Sequence, residues 1–219
     1  LPERNIEGEA VKAYISFPAS TREVEFKYAV SYLSPEQAKR NYEKELSKTN
    51  FQSVLNAGKL AWSKVMSQIK VEGGTEGQKR SFYTALYRCY ERMVDISEDS
   101  SYYSGFDKKI HKDNRIFYVD DWSWDTFLAQ HPLRTILNPS MEEDMLHSYV
   151  RMYEQSGWMP TFPVLYGDHV CMNAFHSSVI FIDDNPFEID QVKRSNNDLT
   201  CVQFNPNNFS NLNNELSKV

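Results

Sequence analysis

The chain has 219 residues, 41% of them hydrophobic, and a formal net charge of −6. That is enough apolar material for one large domain or two small ones, and the absence of any concentrated Lys/Arg run excludes a nucleic-acid partner. No apolar stretch reaches bilayer-spanning length, so the chain reads as soluble with no membrane span, and its start, Leu1-Pro2-Glu3, carries neither an initiator Met nor a signal-peptide pattern, as expected of an excised or processed piece.

In chain order, Val11 to Phe17 is a weak strand candidate. From Arg22 to Tyr32 the residues alternate, with Val24, Phe26, Tyr28, Val30 and Tyr32 on one face and Glu25, Lys27 and Ser31 on the other, the period of a half-buried strand. Ser34-Pro35-Glu36-Gln37 then supplies a capping Ser, a Pro at the first helical position and a Gln at the third, which starts a helical region. Phe51, Val54, Leu55, Gly58, Trp62, Val65, Met66 and Ile69 continue it as one stripe. "EGGTEG" breaks the pattern. Thr75 to Gln78 forms a second capping box, for a helix whose buried face is Phe82, Ala85, Leu86, Cys89 and Met93. A third box is expected at Ser140 to Glu143, with Met145, Leu146, Tyr149, Met152 and Tyr153 behind it and Gly157 as the left-handed stop. Between the helices lie the connections 94–121 and 158–170, rich in Asp, Tyr, Gly and His and suited to carry binding groups. The stretch from Asn196 on is Asn-dense, has no periodicity and reads as poorly ordered. Cys89, Cys171 and Cys201 are too far apart for a disulfide framework or a Cys-x-x-Cys zinc site and read as buried thiols.

Three runs carry chemistry: "FYTALYR" (82–88), "YYSGFD" (102–107) with "WSWDTFLAQHP" (122–132), and "GWMP" (157–160) followed by "YGDHVCMNAFH". In this order, after a β-to-helix transition, they resemble glycoside hydrolase family 92, the exo-acting α-mannosidases, from about Phe26 to about Ile182. The resemblance implies a mainly α fold with a short β segment. Residues 1–33 would end a β-sandwich domain, 34–72 would be linker helices, and 73–183 the first helices of an incomplete (α/α)6 barrel. Residues 184–219 would be a divergent tail. It also implies a calcium ion, mannose-containing glycans as partner, a secreted or extracytoplasmic location, and inverting hydrolysis by two carboxyl groups roughly 6.5–9.5 Å apart.

Within "WSWDTFLAQHP", Asp125 lies in a first helical turn, where free amides favour an ionised carboxylate that can accept from sugar hydroxyls. Trp124, Leu128 and His131, at spacings of four and three, would form one wall of an aromatic plate and an imidazole, and Pro132 disturbs the turn before it. Trp158, in the "GWMP" run, is a further substrate-binding candidate. The plainer readings are core packing for the tryptophans, a first-turn helix carboxylate for Asp125, and a hydrogen-bonded structural histidine for His131. Asp107 follows Gly105, which permits a tight turn that would present it at a pocket mouth; a simple Asx turn is the alternative. His111 and His147 read as surface residues. Asp120 and Asp121 are adjacent carboxylates of the kind calcium takes, but two neighbours do not make a site of six to eight oxygens, and no metal ligand is assigned.

The acid role belongs in the family to a glutamate after the GWxP motif, and Trp158 to Asp183 contains no Glu. Asp168 is the carboxylate available there, one methylene shorter than the reach of a Glu. Members without that glutamate resemble enzymes acting on mannosyl phosphates. The family's base lies further downstream, and after Ile182 the text turns to "DDNPFEID", so the resemblance is expected to stop mid-helix. Two other functions stay open: a catalytically inactive carbohydrate-binding relic, and a helical scaffold or interaction protein, which the many polar groups in the Trp-Asp and Gly-Phe-Asp runs argue against.

Overall fold

The computed structural model describes residues 9, 10, 12, 14–169, 171 and 176–180; most of the first strand candidate's start and all of the Asn-rich tail lie outside these residues. The expected strand at Arg22–Tyr32 does not form. Its apolar residues Val24, Phe26, Tyr28 and Val30 face solvent, while the half-buried positions are Lys27, Ala29 and Ser31. Alternation marks a face, but a strand also needs a neighbour for its backbone groups, and among the described residues none lies beside it. Side chains hold the segment instead: Asn41 donates to the Val30 carbonyl (3.1 Å) and Glu98 accepts from the Tyr32 amide (2.8 Å).

Helix α1 (Pro35–Glu45) starts where Ser34 accepts from the Gln37 amide (3.1 Å). The Gln37 side chain does not return to Ser34; buried, it donates to Asn41 and Asp99. Helix α2 (Phe51–Met66) is capped reciprocally by Asn50 and Ser53, a pair outside the Ser/Thr-x-x-Glu/Gln pattern, and buries none of its residues. Helix α3 (Glu76–Arg88) has the expected Thr75/Gln78 box, yet of its apolar stripe only Leu86 is buried, with Met93 just beyond the helix.

The connection 94–121 contains two small antiparallel sheets. Strand β1 (Val94–Asp95) pairs with β4 (Tyr118–Val119), and β2 (Ser101–Tyr103) pairs with β3 (Ile110–Lys112). "WSWDTFLAQHP" then forms two helices rather than one: α4 (Ser123–Thr126) and, after a turn at 127–129, α5 (Gln130–Leu137). Pro132 falls in the first turn of α5, where its missing amide costs little. The expected wall of Trp124, Leu128 and His131 is therefore divided among α4, the turn and α5. Helix α6 (Pro139–Ser156) starts at Pro139 without a side-chain cap, so the Ser140 box is absent, and it stops at Gly157 in the left-handed conformation (φ 81°). A hairpin of β5 (Pro163–Val164) and β6 (Gly167–Asp168) and the short α7 (His176–Ile180) follow.

Helix α6 carries the core. Its Met152 packs with Ile96, Tyr102, Phe117 and Val119, where the Tyr102 and Phe117 rings stack at 3.8 Å. Its Met145 and Tyr149 pack with Met93 and Tyr118. Tyr118 and Val119, neighbours on β4, point to opposite faces and so join the two clusters. Cys89 is half-buried and Cys171 exposed, against the expectation of buried thiols, and Cys201 lies outside the described residues. Among the described residues no helix is long and apolar enough to cross a membrane.

Candidate functional site

The four residues of α4 divide between two environments. Ser123 and Thr126 are buried, while Trp124 (52% exposed) and Asp125 face outward. Both inward hydroxyls are fastened. Ser123 donates to the Thr161 carbonyl (2.7 Å), which ties the turn to the segment leading into β5. Thr126 donates to Asp121 Oδ1 (3.0 Å). Trp122 is packed between the Arg92 guanidinium, 4.0 Å from its ring centroid, and Phe162, stacked at 5.5 Å. Trp124 meets the edge of His176 at 6.4 Å.

Beneath α4 lies a buried polar cluster that the sequence did not signal as a unit. Asp121, at 0% exposure, accepts from Thr126, from His131 Nε2 (2.9 Å) and from the Tyr149 hydroxyl (2.5 Å), and its amide donates to the Pro163 carbonyl (3.0 Å). His131, 3% exposed, turns Nδ1 to Glu142 Oε1 (2.5 Å). Since a carboxylate only accepts, both ring nitrogens must donate, which is the imidazolium form. Burial alone pushes the His131 imidazole down, but the hydrogen bonds and charges of Asp121 and Glu142 outweigh it and hold its pKa up at about 9. Burial raises Asp121, but the His131 hydrogen bond and charge, with Tyr149 and Thr126, bring it below the ordinary carboxylate range. Tyr149, fully buried beside Asp121, is held well above its ordinary value. Arg134 is buried next to them and donates to Met145 Sδ (3.3 Å) and to the Cys89 carbonyl (3.1 Å). One signal was available: Glu142, Met145, Tyr149 and Met152 follow at helical spacing, so a carboxylate sits on the buried stripe of α6.

The other candidate residues are dispersed. Trp158, 80% exposed, follows the Gly157 stop. Asp168 on β6 accepts from the Thr161 amide and hydroxyl and from the Phe162 amide (2.7 Å), so both of its oxygens close the β5–β6 hairpin. Asp107 accepts from the Lys109 amide (3.1 Å), as an Asx turn does, and meets His111 Nε2 at 3.0 Å. Burial raises the Asp107 carboxyl, but His111 and Lys109 outweigh it and leave its pKa below the ordinary value. His111 is half-buried and stacked on Tyr102, and burial first, then the Arg115 charge, lowers the pKa of His147. Asp107 and His111 line an open cleft of ≈ 920 Å³ with Asp113 and Arg151; Trp124, Asp125, His131, Trp158 and Asp168 are not part of its wall. Gly105 does not take a left-handed conformation. Its lack of a side chain admits the backbone of Tyr166 and Gly167. The structure thus brings α4 and the Asp168 hairpin together through the Ser123–Thr161 bond, and the loop that carries Asp107 packs on the same hairpin through Gly105.

The Asp120/Asp121 pair does not converge on a common point as a metal site requires. Asp120 is ion-paired with Arg92, and Asp121 is consumed by its three donors. Among the described residues no group of three or more His, Cys, Asp or Glu side chains could hold a metal ion. These residues alone do not fit a calcium site.

The described residues form a helix-rich frame with short hairpins and an outward Trp-Asp turn. The family model of the glycosyl hydrolase family 92 catalytic domain matches residues 37–207, starting and ending later than the expected span of about Phe26 to about Ile182, and the chain belongs to that family. A family GH92 inverting mannosidase from Bacteroides thetaiotaomicron VPI-5482 is similar at 33% identity and TM-score 0.63, over 69% of this chain and 21% of that one. An α-mannosidase of the family from Bacteroides thetaiotaomicron shares the fold at 24% identity and TM-score 0.65, over 69% of this chain and 20% of its own; its complex with mannoimidazole has also been solved. The chain thus spans about a fifth of these solved relatives. No curated protein matches the chain.

Proposed function

We propose that the chain supplies part of the mannose-binding wall of an inverting exo-α-mannosidase that removes terminal mannose from glycans. In this reading residues 1–33 end a β-sandwich, 34–72 are linker helices and 73–183 are the first helices of an (α/α)6 barrel, while the family match runs on to 207, into the Asn-rich segment 184–219. The open apolar stripe of α2 supports that division. The observation that carries the functional reading is the outward pair Trp124 and Asp125 on a turn held from below by two buried hydroxyls. An aromatic face stacks on a sugar ring, and a carboxylate beside it accepts from the hydroxyls. Trp158 offers a second exposed ring. Asp107 lines the open cleft beside His111, and His131 supports the wall from within.

Inversion requires one carboxylic acid and one carboxylate on opposite sides of the glycosidic bond. Asp168 is committed as a hydrogen-bond acceptor inside its hairpin, which favours binding without turnover for this chain. Calcium belongs to this proposal at the level of the family, and no step is routed through it, since the described residues do not gather its ligands. Titration calorimetry with mannoimidazole, on the chain and on Asp125→Asn, tests the reading. We expect affinity to fall about tenfold, the difference between a charged and a neutral acceptor, with an unchanged melting temperature. Equal affinities would make Asp125 a helix-start carboxylate only. An aryl α-mannoside incubated with calcium should not turn over; turnover lost in Asp168→Asn would restore Asp168 as the acid.

A further inference from the structure

We propose that the buried Asp121–His131–Glu142 chain, with Tyr149 and Thr126, is a positioning device that fixes the Trp124–Asp125 turn, so that His131 acts on the ligand through Asp121 and Thr126 and not by touch. Its functional meaning rests on the reading of Trp124 and Asp125 as a sugar-contacting pair. A four-residue helix cannot hold its own shape, because nucleation consumes more conformational freedom than one turn of hydrogen bonds returns. The backbone bonds from the Asp125 and Thr126 amides to the Trp122 carbonyl, at 2.7 and 3.0 Å, therefore need an external brace. Asp121 provides it from four directions: α4 through Thr126, α5 through His131, α6 through Tyr149, and β5 through its own amide.

The chemistry of the cluster is poorly chosen for stability alone. Removing several charges from water is expensive, and apolar groups of equal volume pack at least as well. Directional bonds do what apolar packing does not: they set the orientation of Asp121 and hence of the Thr126 hydroxyl. Charge is balanced locally. The groups facing His131 are Asp121 before α4, Glu142 and the neutral Tyr149 on α6, and Arg134 on α5, and two anions meet two cations within a dry space. Among the described residues Glu142 Oε2 and Arg134 Nε are buried without a hydrogen-bond partner.

Hydrogen exchange on the chain tests this without any ligand, at dilutions where it is monomeric. In Thr126→Val, which keeps the shape and deletes one hydroxyl, the Asp125 and Thr126 amides should exchange at least about tenfold faster, the effect of losing a bond to a charged acceptor, while α6 amides keep their protection. His131→Gln, with two neutral positions in place of an imidazolium, should do the same and weaken mannoimidazole binding. Unchanged exchange at 125 and 126 in Thr126→Val, or equal loosening of α6, would overturn the proposal by making the cluster ordinary core. Asp125→Asn separates the two readings: it leaves exchange alone. If it also binds mannoimidazole as the unmodified chain does, the functional reading fails while the brace stands. If Asp125→Asn loses affinity and Thr126→Val keeps both affinity and slow exchange, the brace fails while the functional reading stands.

Discussion

Replacing Gly105 by Ala should separate the β5–β6 hairpin from the loop that carries Asp107. A Cβ at this position would stand 2.2 Å from the Tyr166 carbonyl carbon, 2.4 Å from the Gly167 nitrogen and 2.5 Å from the Leu165 oxygen. All three are backbone atoms, so no side-chain rotation relieves the contact, and the hairpin must retreat by more than an ångström. It is not free to do so, because Lys108 donates to the Gly105 and Tyr166 carbonyls, Asp168 holds Thr161 and Phe162, and the Pro163 carbonyl accepts from Asp121. Overpacking costs about 1–3 kcal/mol, and a backbone clash held on three sides belongs at the top, about 3 kcal/mol, a large share of the roughly 5–15 kcal/mol that holds a domain together. Denaturant midpoints at constant slope measure it, with hydrogen exchange over 161–168 to localise it. Gly58→Ala is the control: nothing lies within 4 Å of a Cβ there, inside α2, so that change should stabilise by about 0.5–1 kcal/mol. A Gly105→Ala midpoint equal to the unmodified one would refute the close approach.

His131 has a folded pKa of about 9 against 6.5 for the free side chain, so its stabilisation is complete below 6.5 and is lost as the pH rises through 9. That difference is worth on the order of 3 kcal/mol. Urea midpoints should fall across this alkaline window and stay flatter in His131→Gln; identical slopes in the two proteins would contradict the imidazolium assignment. Asp121, whose folded pKa is lowered, acts in the opposite direction, and its contribution disappears on acidification through that lowered value. The exposed face of Val24, Phe26, Tyr28 and Val30, with the open stripe of α2, should drive self-association. Sedimentation velocity should show apparent mass rising with concentration, less steeply in Phe26→Ser/Tyr28→Ser. A monomer at every concentration would mean those faces are harmless to solubility.

What the sequence determined by itself is local. The Ser34 and Thr75 caps, the Gly157 stop and the buried stripe of α6 depend on residues within a turn of one another, and their chemistry is complete in that span. The family was legible for a related reason, since runs such as "WSWDTFLAQHP" keep an order that does not require coordinates. Tertiary structure decided the rest. The period at Arg22–Tyr32 was real, but whether it became a strand depended on a neighbour that no local pattern contains. The end of one helix at Thr126 and the start of another at Gln130 separated Trp124 from His131, which spacing alone had placed on one wall. Gly105 was assigned to a turn, and what needs it is the backbone of Tyr166 and Gly167, some sixty residues later. Asp121, His131, Glu142 and Tyr149 become one network only when α5 and α6 pack beneath α4, because a hydrogen bond depends on distance and angle in space and no period along the chain encodes where they meet.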